Sequence, residues 1–571
     1  MTAAPPTADA DPPLDRYAPT PVPLPRPDYR YPMGYQQDAV ARLLGQLGRH
    51  RGALLLASTG LGKTVIATEV ARRLRREGRI DRALVIAPNA VRLEWSAHLD
   101  AARLPHRVFN HAALDADPER SAAAGALVAD LAALSRRTLL VIDECHLLRT
   151  GGTAAAARRA FARLVPAVAS SGAPVLLMTA TPVARELANL NAQLALLPHT
   201  APNRALLDDL PGARAWRVYA ADDIARLPVI TVLTTPGVAR RYGERDDDGD
   251  GTFVRLGLRR RYFPRLALHR VDTPVVAGAA VAAALDDGVF ATAGAQAGLD
   301  RLVRLSLTSS PWALADCVAR TIATPGPGGF DRVRFRQPPE ARAAALGDVL
   351  AALRAVTPAD DPKLAALLAL LDRRCAEGGK VVVFVERLPT ACYLATSLAA
   401  LRPRLRVGCT VRGSGDGPLP GMPARARQRP EAEVRALVAA FAPVANGVRP
   451  RRSGGGVDVL VASDAWGIGV NLQDAATVVS YDLAWTPVEL TQRAGRVLRL
   501  WDEPRTVDVV AFVPDLGVPT MDDGFRRLWA VVRRWERLVA RHDLATRLGE
   551  LPTLAVAGWL GELDLAQLAA G

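Results

Sequence analysis

One lysine stands inside the glycine-rich run Ala57-Ser58-Thr59-Gly60-Leu61-Gly62-Lys63-Thr64. The chain has only three lysines, Lys63, Lys363 and Lys380, among 72 basic residues. A lysine kept here marks a place where a compact ammonium serves and a planar guanidinium does not fit. Leu54 to Ala57 is a short apolar run, fit for a buried parallel strand, and Thr64 to Leu74 has a helical pattern. Gly60 and Gly62 let the backbone turn sharply with its N–H groups inward, and the helix that follows points its positive end at the turn. Such a loop cradles phosphates: Ser58, Thr59, Gly60, Leu61 and Gly62 wrap them, Lys63 reaches the β- and γ-phosphates, and the Thr64 hydroxyl binds Mg²⁺. The usual pattern opens with Gly, and this one opens with Ala57.

Two further runs supply the rest of a hydrolytic site. Asp143-Glu144-Cys145-His146 follows the apolar stretch Leu139-Leu140-Val141-Ile142, so a strand delivers two carboxylates at its C-terminal end. Asp143 is suited to hold Mg²⁺ through water, and Glu144 to orient and deprotonate an attacking water. In Gln492-Arg493-Ala494-Gly495-Arg496-Val497-Leu498-Arg499, Arg496 and Arg499 lie three apart on a helix and project from one face. On their own they read first as surface arginines in an arginine-rich chain, and the motif context reverses that.

The elements that must position these groups follow from the hydrophobic pattern. Residues 1–32 carry ten prolines and read as a disordered or extended lead-in. From 33 to 234, apolar strands alternate with helical runs, and the alternation returns from 376 to 514. Each stretch implies a parallel sheet covered by helices on both faces, and two such units imply a cleft between them. The Ala-rich stretch 235–375 reads as a helical insertion, and 515–571 as a helical tail with Trp529, Trp535 and Trp559 for packing. The fold class expected is α/β, two tandem parallel-sheet lobes.

Composition narrows the partners. The formal net charge of +14 favours a polyanion such as nucleic acid, although an Ala- and Arg-biased chain makes charge alone a weak guide. Five cysteines form no C-x-x-C pair, so neither a zinc site nor a disulfide framework is expected, and a reducing cytoplasm fits. No apolar run is long enough for a membrane span, so no membrane partner is expected. Asp246-x-Asp248-x-Asp250-Gly251 matches half a calcium loop, but Gly257 stands at the twelfth position where a bidentate Glu is needed, so a hairpin turn is expected. The basic run from Arg255 to Arg270 suits DNA contact and inter-lobe packing equally, and Arg412–Arg429 and Asn446–Gly456 read as surface loops.

Taken in order, the phosphate loop, Asp143-Glu144-Cys145-His146, Thr179-Ala180-Thr181-Pro182 and Gln492 to Arg499 resemble the superfamily 2 helicases and translocases. The resemblance covers both α/β units. Tyr35-Gln36, Ile86-Ala87-Pro88 with Trp95, Ser463 to Gln473 and Asp482 to Pro487 make it Swi/Snf-like. It implies two RecA-like lobes of the P-loop NTPase kind, binding ATP and Mg²⁺. It implies that Gln36 reads adenine, that Gly469 belongs to the nucleotide contacts, and that Gln492, Arg496 and Arg499 act at the γ-phosphate, the arginines as fingers. It implies that the segment with Trp95 lies along the nucleic-acid track and that Thr179 and Thr181 link the two sites. Lys363 and Lys380 match family positions too. Two departures stand out: Thr486 replaces the family's Asn, and Arg499-Leu500-Trp501-Asp502 replaces the remodellers' closing "R-I-G-Q". The second leans towards the shorter bacterial and viral members. The activity implied is ATP-driven tracking along duplex DNA, with a protein partner supplying any effector chemistry. An RNA-directed or strand-separating helicase and a non-motor scaffold are the alternatives.

Overall fold

The computed structural model describes residues 32–515 apart from 149–154, 181–188, 211–223, 225, 248, 250, 287–305, 324–328, 331–332, 335–337, 449–455, 465–469 and 483–486. The expected N-terminal lead-in up to residue 31 and the expected C-terminal helical tail from 516 lie outside the described residues.

Short apolar runs become the strands of the first lobe: β1 (Gly52–Ala57), β2 (Arg82–Ala87), β3 (His106–Asn110), β4 (Thr138–Asp143), β5 (Val175–Thr179) and β6 (Ile230–Leu233). They form one sheet in the order β3-β2-β4-β5-β1-β6, parallel throughout. Strands β1, β4 and β5 are buried from end to end, which explains their almost unbroken apolar sequence. Alternation still divides their side chains. Leu54 and Leu56 enter one core cluster, and Ala53, Leu55 and Ala57 enter the cluster on the other face. Helices α1 (Gly34–His50), α2 (Lys63–Arg76) and α3 (Arg92–Ala101) supply apolar residues to the second cluster. Because β5 lies between β1 and β4, the C-terminal ends of these three strands converge on one crevice, where open parallel sheets bind ligands.

The stretch between the lobes holds the expected helices at Gly278–Asp286, Pro311–Ala323, Pro339–Ala355 and Pro362–Ala376. It also holds six strands that helical periodicity had hidden. Strands β7 (Glu244–Arg245), β8 (Thr252–Leu256) and β9 (Arg259–Tyr262) form a small antiparallel sheet. Strand β10 (Arg265–Pro274) joins the second lobe, and β11 (Gly329–Phe330) pairs with β12 (Val333–Arg334). The acidic run begins, as expected, a turn between β7 and β8: Asp246 N–H donates to Gly251 O at 2.9 Å. The Asp246 carboxylate is taken by Arg260 and by the Tyr262 hydroxyl, and no metal-binding cluster exists among the described residues.

The second lobe continues with β13 (Val381–Val385), β14 (Val407–Cys409), the hairpin of β15 (Val411–Asp416) and β16 (Pro423–Gln428), then β17 (Val459–Ser463), β18 (Thr477–Ser480) and β19 (Thr506–Asp515). Its main sheet runs β10-β19-β18-β13-β17-β14, again parallel throughout. Arg412–Arg429, expected as a loop, is mostly the β15–β16 hairpin. Its exposed arginines alternate with the inward Val411, Gly413 and Ala426, a two-residue period masked by the glycines. The second interrupting loop lies partly outside the described residues.

Candidate active site

The glycine turn folds as its residue types require. Gly60 and Gly62 have φ of 85° and 80°, a region open to glycine, and Gly62 caps α2, whose first residue is Lys63. The turn is clamped from α1. Gln36 Nε2 and the Tyr35 hydroxyl both donate to Leu61 O, at 3.0 and 3.1 Å, and Gln36 Oε1 accepts from Met33 N–H at 2.9 Å. Ser58 Oγ accepts from Thr235 N–H at 3.2 Å. Above the turn lies a cavity of about 690 Å³, lined from the first lobe by Gln36, Gly60, Gly62, Lys63, Thr64, Asp143 and Glu144 among others.

Strand β4 ends in Asp143, and Glu144 follows at φ 50°, a left-handed conformation rare outside glycine. That twist turns the Glu144 carboxylate towards Lys63, whose Nζ lies 3.8 Å from Oε1. Asp143 is fully enclosed. Its Oδ2 accepts from Trp95 Nε1 at 3.0 Å and its Oδ1 from Glu144 N–H at 3.0 Å. Burial, with Glu144 alongside, pushes the Asp143 carboxyl up to about 6. Glu144 goes the other way. Burial raises it, but Lys63, His146 and Arg496 together hold its carboxyl below the ordinary range. Trp95, from the segment expected along the nucleic-acid track, is 1% exposed and donates to Asp143 from within the lobe. His111 Nε2 lies 2.8 Å from Asp143 O, and burial pushes its imidazole down to about 4, so it is neutral at pH 7 and donates that bond.

The second lobe closes the cavity with Asn471, Gln473 and the segment from Arg496 to Asp502. Contact with the glycine turn is direct. A Cβ on Gly60 would lie 2.9 Å from Leu498 O and from Arg499 Cγ, and a Cβ on Gly495 would collide with the Thr59 side chain. Arg496 is buried, and burial with Arg499 beside it pushes its guanidinium down to about 10, still charged at pH 7. Arg499 donates to the Asn471 side chain. Gln492 meets His146 Nε2 at 3.3 Å, His146 Nδ1 meets Thr179 Oγ1 at 2.9 Å, and Thr179 Oγ1 donates to Glu144 Oε2 at 3.4 Å. These three contacts form a hydrogen-bonded line from the second lobe to Glu144.

Of the expected site residues, Gln36, Gly60, Gly62, Lys63, Thr64, Asp143, Glu144, Arg496 and Arg499 line this cavity, and Gln492 stands on the hydrogen-bonded line. Ser58, Thr59 and Leu61 belong to the turn but do not line the cavity, and Gly469 and Thr181 lie outside the described residues. Of the three lysines only Lys63 lines the cavity. Lys363 is buried in the second lobe, donating to Thr308 O at 2.7 Å and Ser309 O at 3.0 Å, and Lys380 donates to Phe441 O.

Four features were not foreseen: the Trp95–Asp143 bond, the His146 line, the β8–β9 hairpin residues on the cavity wall, and Arg493. Arg493 points away from the cavity. It forks onto Asp464 at 2.8 and 2.6 Å and donates to Asp482 O at 2.7 Å. Helix spacing gave no signal for this: the helix Pro487–Ala494 ends before Arg496, so Arg493 and Arg496 share no helix face, and Arg496 and Arg499, expected on one helix, stand beyond its end. Breaking the Arg493–Asp464 pair strands its partner, so Arg493→Met is expected to lower unfolding free energy by about 3 kcal/mol, read from denaturant midpoints.

Comparisons with known proteins agree with this arrangement at both ends. Residues 31–96 match the family "Type III restriction enzyme, res subunit", and residues 430–500 match "Helicase conserved C-terminal domain". An uncharacterized ATP-dependent helicase, YqhH of Bacillus subtilis (strain 168), is 47% identical over 49 residues, which is 9% of this chain and 9% of that protein. The chain's match thus spans about a tenth of that relative's length. The Sulfolobus solfataricus SWI2/SNF2 ATPase core, solved in complex with dsDNA, aligns over 93% of this chain and 99% of that one at 15% identity and a TM-score of 0.30. Among the described residues no helix is long and apolar enough to cross a membrane.

Proposed function

We propose that this chain, which belongs with the superfamily 2 helicases by its two helicase segments and their ordered motifs, hydrolyses ATP to drive itself along duplex DNA in the Swi/Snf-like manner. The observation that carries the reading is the meeting of two half-sites across one cavity, Lys63 and Glu144 from the first lobe and Arg496 and Arg499 from the second. Neither half can hydrolyse a triphosphate alone, so lobe closure and chemistry are coupled.

Gln36 faces the base, and the N-terminus of α2 with Lys63 receives the phosphates. Two buried carboxyls against one ammonium, beside the Thr64 hydroxyl, make a hard-oxygen set that suits Mg²⁺. Thr64 and Asp143 would hold the ion, which neutralises phosphate charge when bound. Glu144 takes the proton of the attacking water, and Arg496 with Arg499 stabilises charge on the transferring group. The Gln492–His146–Thr179 line lets a shift of the second lobe be felt at Glu144. Backbone tracking needs positive charge and no base readout, which the net charge of +14 supports. ATPase rates measured with duplex DNA, single strands and RNA test the reading. Strong stimulation by duplex DNA is expected; stimulation by RNA alone, or by nothing, removes the DNA motor.

Lys63→Arg is expected to cut turnover by about 10²–10³-fold despite conserving charge. A planar guanidinium presents a fork of donors where the loop takes a compact, three-donor ammonium. Steady-state ATPase measurements check this, with Lys363→Arg as a variant remote from the cavity.

A further inference from the structure

We propose that Arg259 is a nucleotide-binding residue, and that the β8–β9 hairpin is the outer wall of the base end of the ATP cavity. The inference rests on the ATP reading above and assigns a contact outside the expected motifs.

The hairpin turns through Gly257 and Leu258, with Gly257 at φ +60° and Leu258 99% exposed. Leu256 therefore pairs directly with Arg259 at the tip, Arg255 with Arg260, and Val254 with Arg261. Strand alternation puts Val254, Leu256, Arg259 and Arg261 on one face and Arg255 and Arg260 on the other. The first face borders the cavity, with Arg259 at its solvent-exposed rim. Val254 is buried with Tyr35 and Leu61, next to Gln36, and Leu256, Arg259 and Arg261 line the cavity.

The two faces treat their arginines differently. Outward, Arg255 pairs with Glu244 at 2.8 Å and Arg260 with Asp246, and both guanidiniums lie over the Phe253 ring, at 5.6 and 4.8 Å. Inward, Arg261 pairs with Asp502 and donates to Leu500 O at 3.0 Å. Of these four arginines, Arg259 alone has no side-chain partner among the described residues. An unpaired guanidinium facing a cavity gains from an anion or a π-face within it, and a purine nucleoside triphosphate offers both. The position two rungs beyond Val254, which packs with Tyr35 beside Gln36, assigns Arg259 to the base and ribose.

The wall is also fastened to the second lobe. Tyr262 N–H donates to Trp501 O at 2.7 Å and Trp501 N–H to Tyr262 O at 3.0 Å, two residues beyond Arg499. A nucleotide gripped by Arg259 thereby holds the segment that carries the arginine pair.

Isothermal titration of the full chain with Mg·ADP, without nucleic acid, tests the inference on Arg259→Ala, Arg259→Gln and, from the outward face, Arg255→Ala. Both Arg259 variants are expected to raise Kd about tenfold, the loss of one charge-assisted contact, and to raise KM for ATP in parallel. Arg255→Ala is expected to bind as wild type. Arg259 variants with wild-type affinity, or an equal loss in Arg255→Ala, overturn the proposal while leaving the ATP reading intact. A wild-type chain that binds no adenine nucleotide overturns both.

Discussion

Arg496→Ala is expected to lower ATP turnover by roughly 10³–10⁵-fold, the range of arginine fingers in other phosphoryl-transfer enzymes. The side chain is buried, yet it forms no ion pair among the described residues and its Nε lacks a hydrogen-bond partner there. A buried cation held in that way is destabilising unless an anion arrives to meet it. Glu144, Asp143 and Glu94 supply only a diffuse field that keeps it charged. On the function proposed above, the γ-phosphate is that anion, and its charge is redistributed most in the transition state. The variant should therefore lose turnover far more than ground-state affinity. Single-turnover hydrolysis beside ADP titration separates the two, and a rate within tenfold of wild type would remove Arg496 from the transition-state role.

Glu144→Gln is expected to cost about 10²–10⁴-fold in turnover, the size of a lost general base, while ATP binds as tightly as before or more so. Without nucleotide, Lys63 and Glu144 neutralise each other at 3.8 Å. Lys63 cannot serve both a carboxylate and a triphosphate. Burial is already the largest single influence on Glu144, and when Lys63 turns to phosphate the largest of the influences opposing it weakens, which raises the carboxylate's basicity in the state that needs a base. Glutamine fills the same space and leaves the Lys63 charge wholly to phosphate. Rapid-quench hydrolysis set against equilibrium ATP binding checks both halves, and equal losses in rate and affinity would mean that Glu144 is only a structural partner of Lys63.

How much of this could be read beforehand depends on how far apart in the chain the cooperating residues lie. The glycine turn and the Asp143-Glu144 pair are local, because a loop or a strand end sets their geometry; Arg496 and Arg499 were read from a helix spacing, and they stand beyond the end of the helix Pro487–Ala494. The two sheets were legible for a related reason: strands buried on both faces must be apolar throughout. What escaped depends on distant partners. Trp95 meets Asp143 48 positions on, and Gln492 meets His146 346 positions back. Arg493 and Arg496 share a spacing but face opposite surroundings, which only the positions of Asp464 and the cavity reveal. The β8–β9 arginines looked like one basic stripe, and pairing alone divides them into neutralised and open faces. Strand β10 was hidden because its single long partner comes from the far end of the second lobe.

That last strand bears on how the protein is made. Arg265–Pro274 pairs rung for rung with Thr506–Asp515, an offset of 241 positions held over the whole length. During synthesis, β10 leaves the ribosome long before its only neighbour in the sheet exists. At about 5–20 residues per second, the wait is roughly 12 to 48 s. An unpaired parallel strand is a template for foreign strands during that time. Chains that stop short of β19 keep it without any partner, so prematurely terminated translation products of this protein are candidates for aggregation and for chaperone capture, whereas the completed chain pairs one side of β10 along its whole length.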